Sequence, residues 1–289
     1  MQACSRMNAM IDVMPPNRWR GGNTLELGGR VLSAYIQNFI KFQPLLGELI
    51  ARDIKIKYRR SVLGVLWTLL NPLCMMIVLS VVFSNIFKFD IENFPLYILS
   101  GQLIFNFFSD ATTSSMSSIV SSASLIKKVY VPKYLFVLSH IFSSFINLMA
   151  SFTALLLVMM ATRTELHWMT LLAPVPLLLL VFFSLGAGLV LAAVTVKFRD
   201  IMHLYSVFIT ALMYLTPVIY PMAMLPEWLT GFVMLNPITN IVLMFRNVML
   251  YNTFFGWKSL LVAVIETGIM LAIGFWVFYK NQDNFILNL

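Results

Sequence analysis

The chain has 289 residues, of which 60% are hydrophobic and only 11% are charged, and its net charge is +8. Soluble domains carry about 25% charged residues, so this composition excludes a protein folded in water and indicates a polytopic membrane protein. Nucleic acid is not an expected partner, because 16 of the 20 Lys and Arg fall in segments that we assign to the cytoplasmic side.

The N-terminal part divides into a tail and a helix. Residues 1–29 show no periodicity and are predicted to form a flexible cytoplasmic tail. Apolar residues then repeat every four positions from Val31, and the pattern resumes after Pro44. This periodicity predicts an amphipathic helix over residues 30–61 that lies in the membrane interface.

A basic cluster ends this helix. Five of the nine residues from Arg52 to Arg60 are basic, and from Ser61 to Phe87 the only ionisable side chain is Cys74. Basic residues flank the cytoplasmic ends of membrane spans. We therefore expect the cluster on the cytoplasmic face, directly before a first span.

Six spans are predicted within residues 62–280, because each apolar run approaches or exceeds the roughly 20 residues needed to cross a bilayer. The predicted spans are 63–87, 96–120, 135–161, 171–196, 202–222 and 260–279. The connections 121–134 and 197–201 are basic, so both termini, including the tail 281–289, are expected in the cytoplasm.

Residues 223–257, between the last two spans, do not form a simple loop. They are apolar, but Pro226, Gly231 and Pro237 divide them into pieces too short to span. Irregular backbone at membrane depth is tolerated only where it is buried in protein or lines water. The segment is therefore predicted to form short re-entrant gate helices at the outer face.

The second predicted span is rich in hydroxyl groups. Residues Ser109 to Ser124 include ten Ser or Thr together with Asp110. Small hydroxyl residues let membrane helices pack closely, but they also suit a hydrated path for sugars, and both interpretations stay open. Asp110 and Glu266 are carboxylates within spans, where they are either hydrogen-bonded to neighbours or functional. The candidate channel or gate residues are Asp110, Ser114, Ser118, Tyr220, Pro237 and Glu266.

Patterns for nucleotide, metal or catalytic chemistry are missing from the sequence. There is no Gly-x-x-x-x-Gly-Lys-Ser/Thr stretch, so the chain is not expected to supply a P-loop ATPase site. His140, His167 and His203 lie in or beside different predicted spans, which disfavours a metal site. We expect no cofactor bound by this chain.

Four landmarks resemble the permease subunit of type-2 ABC exporters for polysaccharides, a family that exports O-antigen, capsule and teichoic acid. They occur in the family's order and cover about residues 44–280. The landmarks are Arg52 to Tyr58 with Leu63, Gly64, Trp67 and Pro72; Leu125 to Lys133; Phe198 to Ile201; and Thr216 to Pro221 followed by Asn236 to Thr239.

The resemblance implies an all-α ABC type-2 permease fold, an interfacial helix plus six spans, which dimerises around a glycan channel. It implies docking of two basic connections on two separate ATPase subunits that carry ATP and Mg. The implied coupling residues are Leu125, Ile126, Lys127, Lys128, Val129, Tyr130, Pro132, Lys133, Phe198, Arg199 and Asp200. In the family the glycan is carried on a lipid diphosphate, an anion that would suit the bases Arg52, Lys55, Lys57, Arg59 and Arg60.

The predicted function is therefore transport and not catalysis. We expect a channel-forming homodimeric permease in the bacterial cytoplasmic (inner) membrane, in contact with membrane lipids, that exports a lipid-linked polysaccharide, with O-antigen the favoured cargo. Two alternatives are a membrane enzyme acting on lipid-linked sugars and an ABC permease for another lipid or a drug. Short loops with scattered acids disfavour the enzyme, and two isolated carboxylates disfavour an ion-coupled flippase.

Overall fold

A computed structural model describes residues 24–59, 61–87, 91, 93–129, 131–164 and 167–285, with side chains from residue 41 onward except at 65 and 84–87. These residues form helices and their connections, with no strand among them. The chain divides into two compact units at Leu45 and Leu46. The described part of the first unit is helical backbone, and the second unit contains all the contacts discussed below.

The first helix, α1, spans Thr24–Tyr58 and contains Pro44. It begins six residues before the predicted 30–61 helix, so residues 24–29 are helical. It ends three residues early, where the chain turns and Gly64 adopts a φ of 50°. The remaining predicted tail residues, 1–23 and 286–289, lie outside the described residues.

Nine more helices follow in the described part of the chain. They are α2 Trp67–Phe87, α3 Phe94–Ser121, α4 Ala123–Ile126, α5 Tyr134–Ala161, α6 Pro174–Lys197, α7 Ile201–Leu215, α8 Glu227–Met234, α9 Pro237–Met249 and α10 Trp257–Asn281. Short 3₁₀ helices occur at Gly64–Leu66, Trp168–Leu172, Met222–Met224 and Gln282–Asn284. The fifth predicted span, 202–222, is shorter than expected, because Thr216 is extended and a proline follows it.

Several of these helices have the length and apolarity of a membrane span. By these two criteria three qualify among the described residues: Tyr134–Ala161, Trp168–Lys197 and Trp257–Asn284. The segments Trp67–Phe83 and Ile201–Leu215 are apolar but shorter. Helices α8 and α9 together have the length and apolarity of a span, and they meet at a bend of 92°. The protein is thus all-helical, as predicted, with several apolar helices of membrane length.

Helix α3 lies at the centre of the core. It packs against α2, α5, α6, α7 and α9, and residues such as Leu96, Ile98 and Ile104 are fully buried. Helix α7 is the opposite case, because Tyr205 is its only buried residue. Large apolar side chains on α7, including Val207 and Phe208, are exposed within a single copy of the chain.

Helices α6 and α10 approach each other closely at two glycines. A Cβ on Gly274 would lie 2.5 Å from the carbonyl oxygen of Gly186, and a Cβ on Gly186 would lie 2.6 Å from the carbonyl oxygen of Met270. Glycine lets two helix backbones come this near in a membrane protein. This contact fixes α10, the last predicted span, against the core.

Candidate functional site

The carboxylate of Asp110 lies where α3, α5 and the end of α1 meet. Its Oδ2 is 3.1 Å from the Nζ of Lys57, and it accepts hydrogen bonds from Ser144 Oγ at 2.9 Å and Asn147 Nδ2 at 3.4 Å. Tyr58 of α1 donates its hydroxyl to Asn147 Oδ1 at 3.1 Å. Asp110 is therefore hydrogen-bonded to its neighbours, and it ties the basic end of α1 to the bundle.

A second carboxylate, Asp53, reinforces this junction. It accepts from Arg52 at 2.8 Å and from Ser139 Oγ at 3.2 Å, and His140 Nδ1 lies 3.4 Å away. Only 8% of its side chain is exposed. The sequence analysis considered only the bases of this cluster and overlooked Asp53. A single carboxylate among five bases was nevertheless a visible signal of a local ion pair.

The remaining bases of the cluster stay open to solvent. Lys55 and Arg59 are exposed, and neither forms an ion pair with a described residue. A recess of about 400 Å³ lies beside them, lined by Ile56, Lys57, Arg59 and Ser61. Arg60 lies outside the described residues. Two bases of the predicted lipid-diphosphate approach are thus unpaired among the described residues, and Lys57 is held in a half-exposed ion pair.

The hydroxyl groups of α3 divide into two faces. On the buried face, Ser118 donates to Ser115 O at 2.6 Å, and Thr112 donates to Phe108 O and accepts from Tyr205 at 2.6 Å. On the other face, hydroxyls that continue from Asp110 are exposed or half-buried: Thr113, Ser114, Ser117 and Ser121. Close packing accounts for the buried face, and only the open face has the exposure that lining a path requires.

The first predicted coupling segment has exposed and engaged parts. Lys127 and Lys128 are exposed, Leu125, Val129 and Pro132 are half-buried, and Ile126 is buried. Tyr130 lies outside the described residues.

Lys133, at the end of this segment, is half-buried and bonded to another part of the chain. Its Nζ donates to the carbonyl oxygen of Gln282 and lies 5.6 Å from the centroid of the Phe285 ring. Burial lowers the pKa of Lys133, and the nearby charge of Asp283 opposes this effect. Lys133 therefore joins the segment to the end of α10, whereas Lys127 and Lys128 are presented outward.

The second predicted coupling segment is fully exposed. Phe198, Arg199 and Asp200 all face solvent where α6 ends and α7 begins. The Phe198 ring is 54% exposed, and the ammonium of Lys197 lies 5.2 Å from its centroid. The predicted coupling residues of this segment are therefore accessible from outside a single copy of the chain.

Pro237 and its neighbours organise the bend between α8 and α9. Pro237 is the first residue of α9, a position where its missing N–H costs nothing. Asn236 caps the helix by accepting from the Ile238 N–H at 3.1 Å, and its amide donates to Thr216 Oγ1 at 2.9 Å. The bend is thereby joined to the end of α7.

Tyr220 closes the end of α7 in a similar way. Its hydroxyl donates to the carbonyl oxygens of Tyr214 and Leu215, at 2.8 Å and 3.2 Å. Its own carbonyl oxygen accepts from the Tyr97 hydroxyl at 3.0 Å. The side chain is therefore engaged with the backbone in this arrangement.

Glu266 of α10 is half-buried and stands apart from these clusters. Its Oε2 is buried and has no hydrogen-bond partner among the described residues. It forms no ion pair with Lys258 or any other described base.

Arg246 of α9 is the largest omission of the sequence reasoning. Only 1% of this residue is exposed, and its guanidinium donates to the side chain of Ser100 and to three backbone carbonyl groups. It was overlooked because it lay in a segment interpreted as gate helices. The available signal was a lone charge in the otherwise uncharged stretch 228–257.

Comparison with known proteins gives one family and a consistent set of relatives. Residues 44–250 match the family model described as ABC-2 type transporter. The chain is 27% identical to the O-antigen export system permease protein RfbA of Myxococcus xanthus, over 86% of this chain and 97% of the relative. The Klebsiella pneumoniae protein of the same name is 25% identical, over 83% and 93%. The capsule polysaccharide export inner-membrane protein CtrC of Neisseria meningitidis serogroup A is 24% identical, over 74% and 82%.

Proposed function

This chain belongs to the ABC-2 type transporter family, and we propose that it is the channel-forming permease subunit of an ATP-driven exporter of lipid-linked polysaccharide, with O-antigen the favoured cargo. The supporting observation is similarity along almost the whole length of relatives named as O-antigen export permeases, 97% of one and 93% of another. The protein is then a transport subunit of the inner membrane and not an enzyme.

The proposed topology places six helices across the membrane: α2, α3, α5, α6, α7 and α10. The pair α8 and α9 turns back at the outer face, which the 92° bend between them supports. Both termini are cytoplasmic, as are the exposed bases Lys127, Lys128 and Arg199.

The proposed channel forms between two copies of the chain. Two surfaces favour a homodimer: the exposed apolar side of α7, and the open hydroxyl face of α3 with Thr113, Ser114 and Ser117. An apolar surface this extensive indicates either lipid or protein contact, while the hydroxyl face suits the hydrated glycan.

The cargo's lipid diphosphate is proposed to approach the basic end of α1. The cationic groups there are Lys55 and Arg59, which no described acid neutralises, and Lys57, which pairs with Asp110. The recess is lined by both Lys57 and Arg59. Replacing Lys55 and Arg59 together by Gln should lower export while leaving assembly with the ATPase intact. Unchanged export from this double variant would contradict the assignment.

Energy is proposed to come from ATP and Mg bound to two copies of a separate ATPase, which meet the exposed coupling segments. Charge reversal of Lys127 and Lys128 to Glu should weaken ATPase association, because like charges across an interface can cost several kcal/mol. Lys258→Glu, an exposed reversal on the proposed outer side, is the matched control. Co-purification of the ATPase, with a topology reporter in the 121–134 connection, measures the effect; undiminished recovery with correct topology would refute the coupling role.

The export function itself is tested by deleting the gene in its own bacterium. Surface polysaccharide should disappear while lipid-linked glycan of unaltered structure accumulates inside, and the wild-type gene should restore export. An enzyme would instead leave a truncated or differently linked glycan. Normal surface polysaccharide after deletion would contradict the proposal.

A further inference from the structure

Arg246 binds two parts of the chain that are distant in sequence. Its Nη1 donates to Pro217 O at 2.6 Å, and its Nη2 donates to Val218 O at 2.8 Å and to Tyr97 O at 2.9 Å. Its Nε lies 3.3 Å from Ser100 Oγ, and the guanidinium carbon lies 3.5 Å from the centroid of the Tyr97 ring. One side chain thus joins α9, the first turns of α3 and the segment that follows α7.

Two of these bonds satisfy carbonyl groups that lie outside the helices. Pro217 and Val218 lie in the turn just after α7, so their carbonyl groups have no helical partner. A buried carbonyl without a donor is unfavourable, and a buried cation without acceptors is more so. Arg246 solves both problems at once, since its planar fork presents several donors in fixed directions. Lysine, with a single nitrogen, cannot reproduce this arrangement.

The surrounding structure leaves the guanidinium little freedom to move. A Cβ added to Gly101 would lie 2.6 Å from its Nη2 and 3.0 Å from Val218 O, so α3 approaches the group as closely as a glycine allows. The Tyr97 hydroxyl bonds to Tyr220 O at 3.0 Å, which holds the same segment from its other end. The Asn236 amide adds a third connection, to Thr216 Oγ1.

We infer that Arg246 is the positioning residue that holds the bent pair α8 and α9, the segment 216–220 and the start of α3 as one closed unit. This inference rests on the proposed function for its meaning, because these elements form the outer end of the proposed channel. The closed unit would keep the outer end sealed between transport events. Opening it requires the four donor contacts of Arg246 to break or to move together.

The test measures closure directly, without glycan or ATPase. The full chain, with Cys4 and Cys74 replaced by Ser, is placed in lipid nanodiscs so that water reaches both faces. A reporter cysteine replaces Val218, which is 1% exposed, and a separate control cysteine replaces Val137 of α5, which is 0% exposed. Reaction with a water-soluble maleimide gives the accessibility of each position, in the wild-type background and with Arg246→Lys.

Arg246→Lys should raise the labelling rate at position 218 at least about tenfold, an equilibrium change of about 1.4 kcal/mol, and leave position 137 unchanged. Tyr97→Phe, which removes only the hydroxyl bond to Tyr220 O, should raise labelling at 218 by a smaller factor. If Arg246→Lys does not accumulate, the labelling is repeated with Ser100→Ala, which removes one of the four acceptors of Arg246. Labelling should again rise at position 218 and stay unchanged at position 137.

Equal labelling gains at both positions would overturn the inference, because Arg246 would then stabilise the whole fold without a selective effect on this unit. No gain at position 218 in any folded variant would overturn it as well. Neither result would bear on whether the chain exports polysaccharide, since the measurement involves no transport.

Discussion

Two charged groups in the bundle, Lys57 and Arg246, are satisfied in opposite ways. Lys57 pairs with the carboxylate of Asp110, and 45% of the lysine side chain and 36% of the aspartate side chain stay exposed. Arg246 is 1% exposed and is held by backbone carbonyl groups, a serine and an aromatic ring, with no carboxylate in ion-pair distance among the described residues.

The difference teaches what each contact is suited to do. A half-exposed ion pair is weak, and another anion can compete for its cation. A buried guanidinium bonded to several carbonyl groups has no competitor within the protein, so it fixes geometry. We call Lys57 the exchangeable cation and Arg246 the fixed cation. The first lies at the basic end of α1, and the second lies where α3, α9 and the segment after α7 meet.

The strongest way to break this contrast is to remove the fixed cation. Arg246→Met leaves several buried acceptors without a donor, and each buried acceptor left unsatisfied costs about 1–3 kcal/mol. We expect a large loss of folded protein, measured as the monodisperse fraction after heating in detergent. A melting profile equal to that of the wild type would show that the guanidinium contributes little.

A smaller effect should come from crowding the guanidinium without removing it. Gly101→Ala places a methyl group 2.6 Å from Arg246 Nη2 and should destabilise the fold by about 1–3 kcal/mol. Gly268→Ala is the matched control, because a Cβ there meets nothing within 4 Å. Alanine is favoured over glycine in a helix by up to about 1 kcal/mol, so the control should be neutral or slightly stabilising. The same heating assay compares them, and equal behaviour would refute the close approach.

The smallest effect is expected at the exchangeable pair. A double-mutant cycle with Lys57→Gln and Asp110→Asn should give a coupling energy of no more than about 1 kcal/mol. It should shrink as ionic strength rises from about 0.01 M to about 1 M, where the Debye length falls from about 30 Å to about 3 Å. The pair Lys55→Gln with Asp110→Asn serves as control and should be additive. A large, salt-independent coupling energy would mean that the pair is as fixed as Arg246.

Much of the architecture could be predicted from the sequence. The helix predicted over 135–161 forms Tyr134–Ala161, and the last predicted span, 260–279, lies within Trp257–Asn281. The resemblance to polysaccharide export permeases is confirmed by the match to the ABC-2 type transporter family and by the similarity to proteins named as O-antigen and capsule export components. The end of α7 at Leu215 was also within reach, since the proline two residues later disfavours helix before it.

The sequence by itself determined an all-helical membrane protein of this family and the positions of its basic connections, because hydropathy and charge asymmetry are properties of short stretches read one at a time. Only the tertiary structure decided that Lys57 meets Asp110 across 53 positions and that Arg246 meets the Tyr97 carbonyl across 149. It also decided which hydroxyls of α3 are buried. Partner and burial depend on which helix faces pack together, and that choice is made by the whole bundle at once.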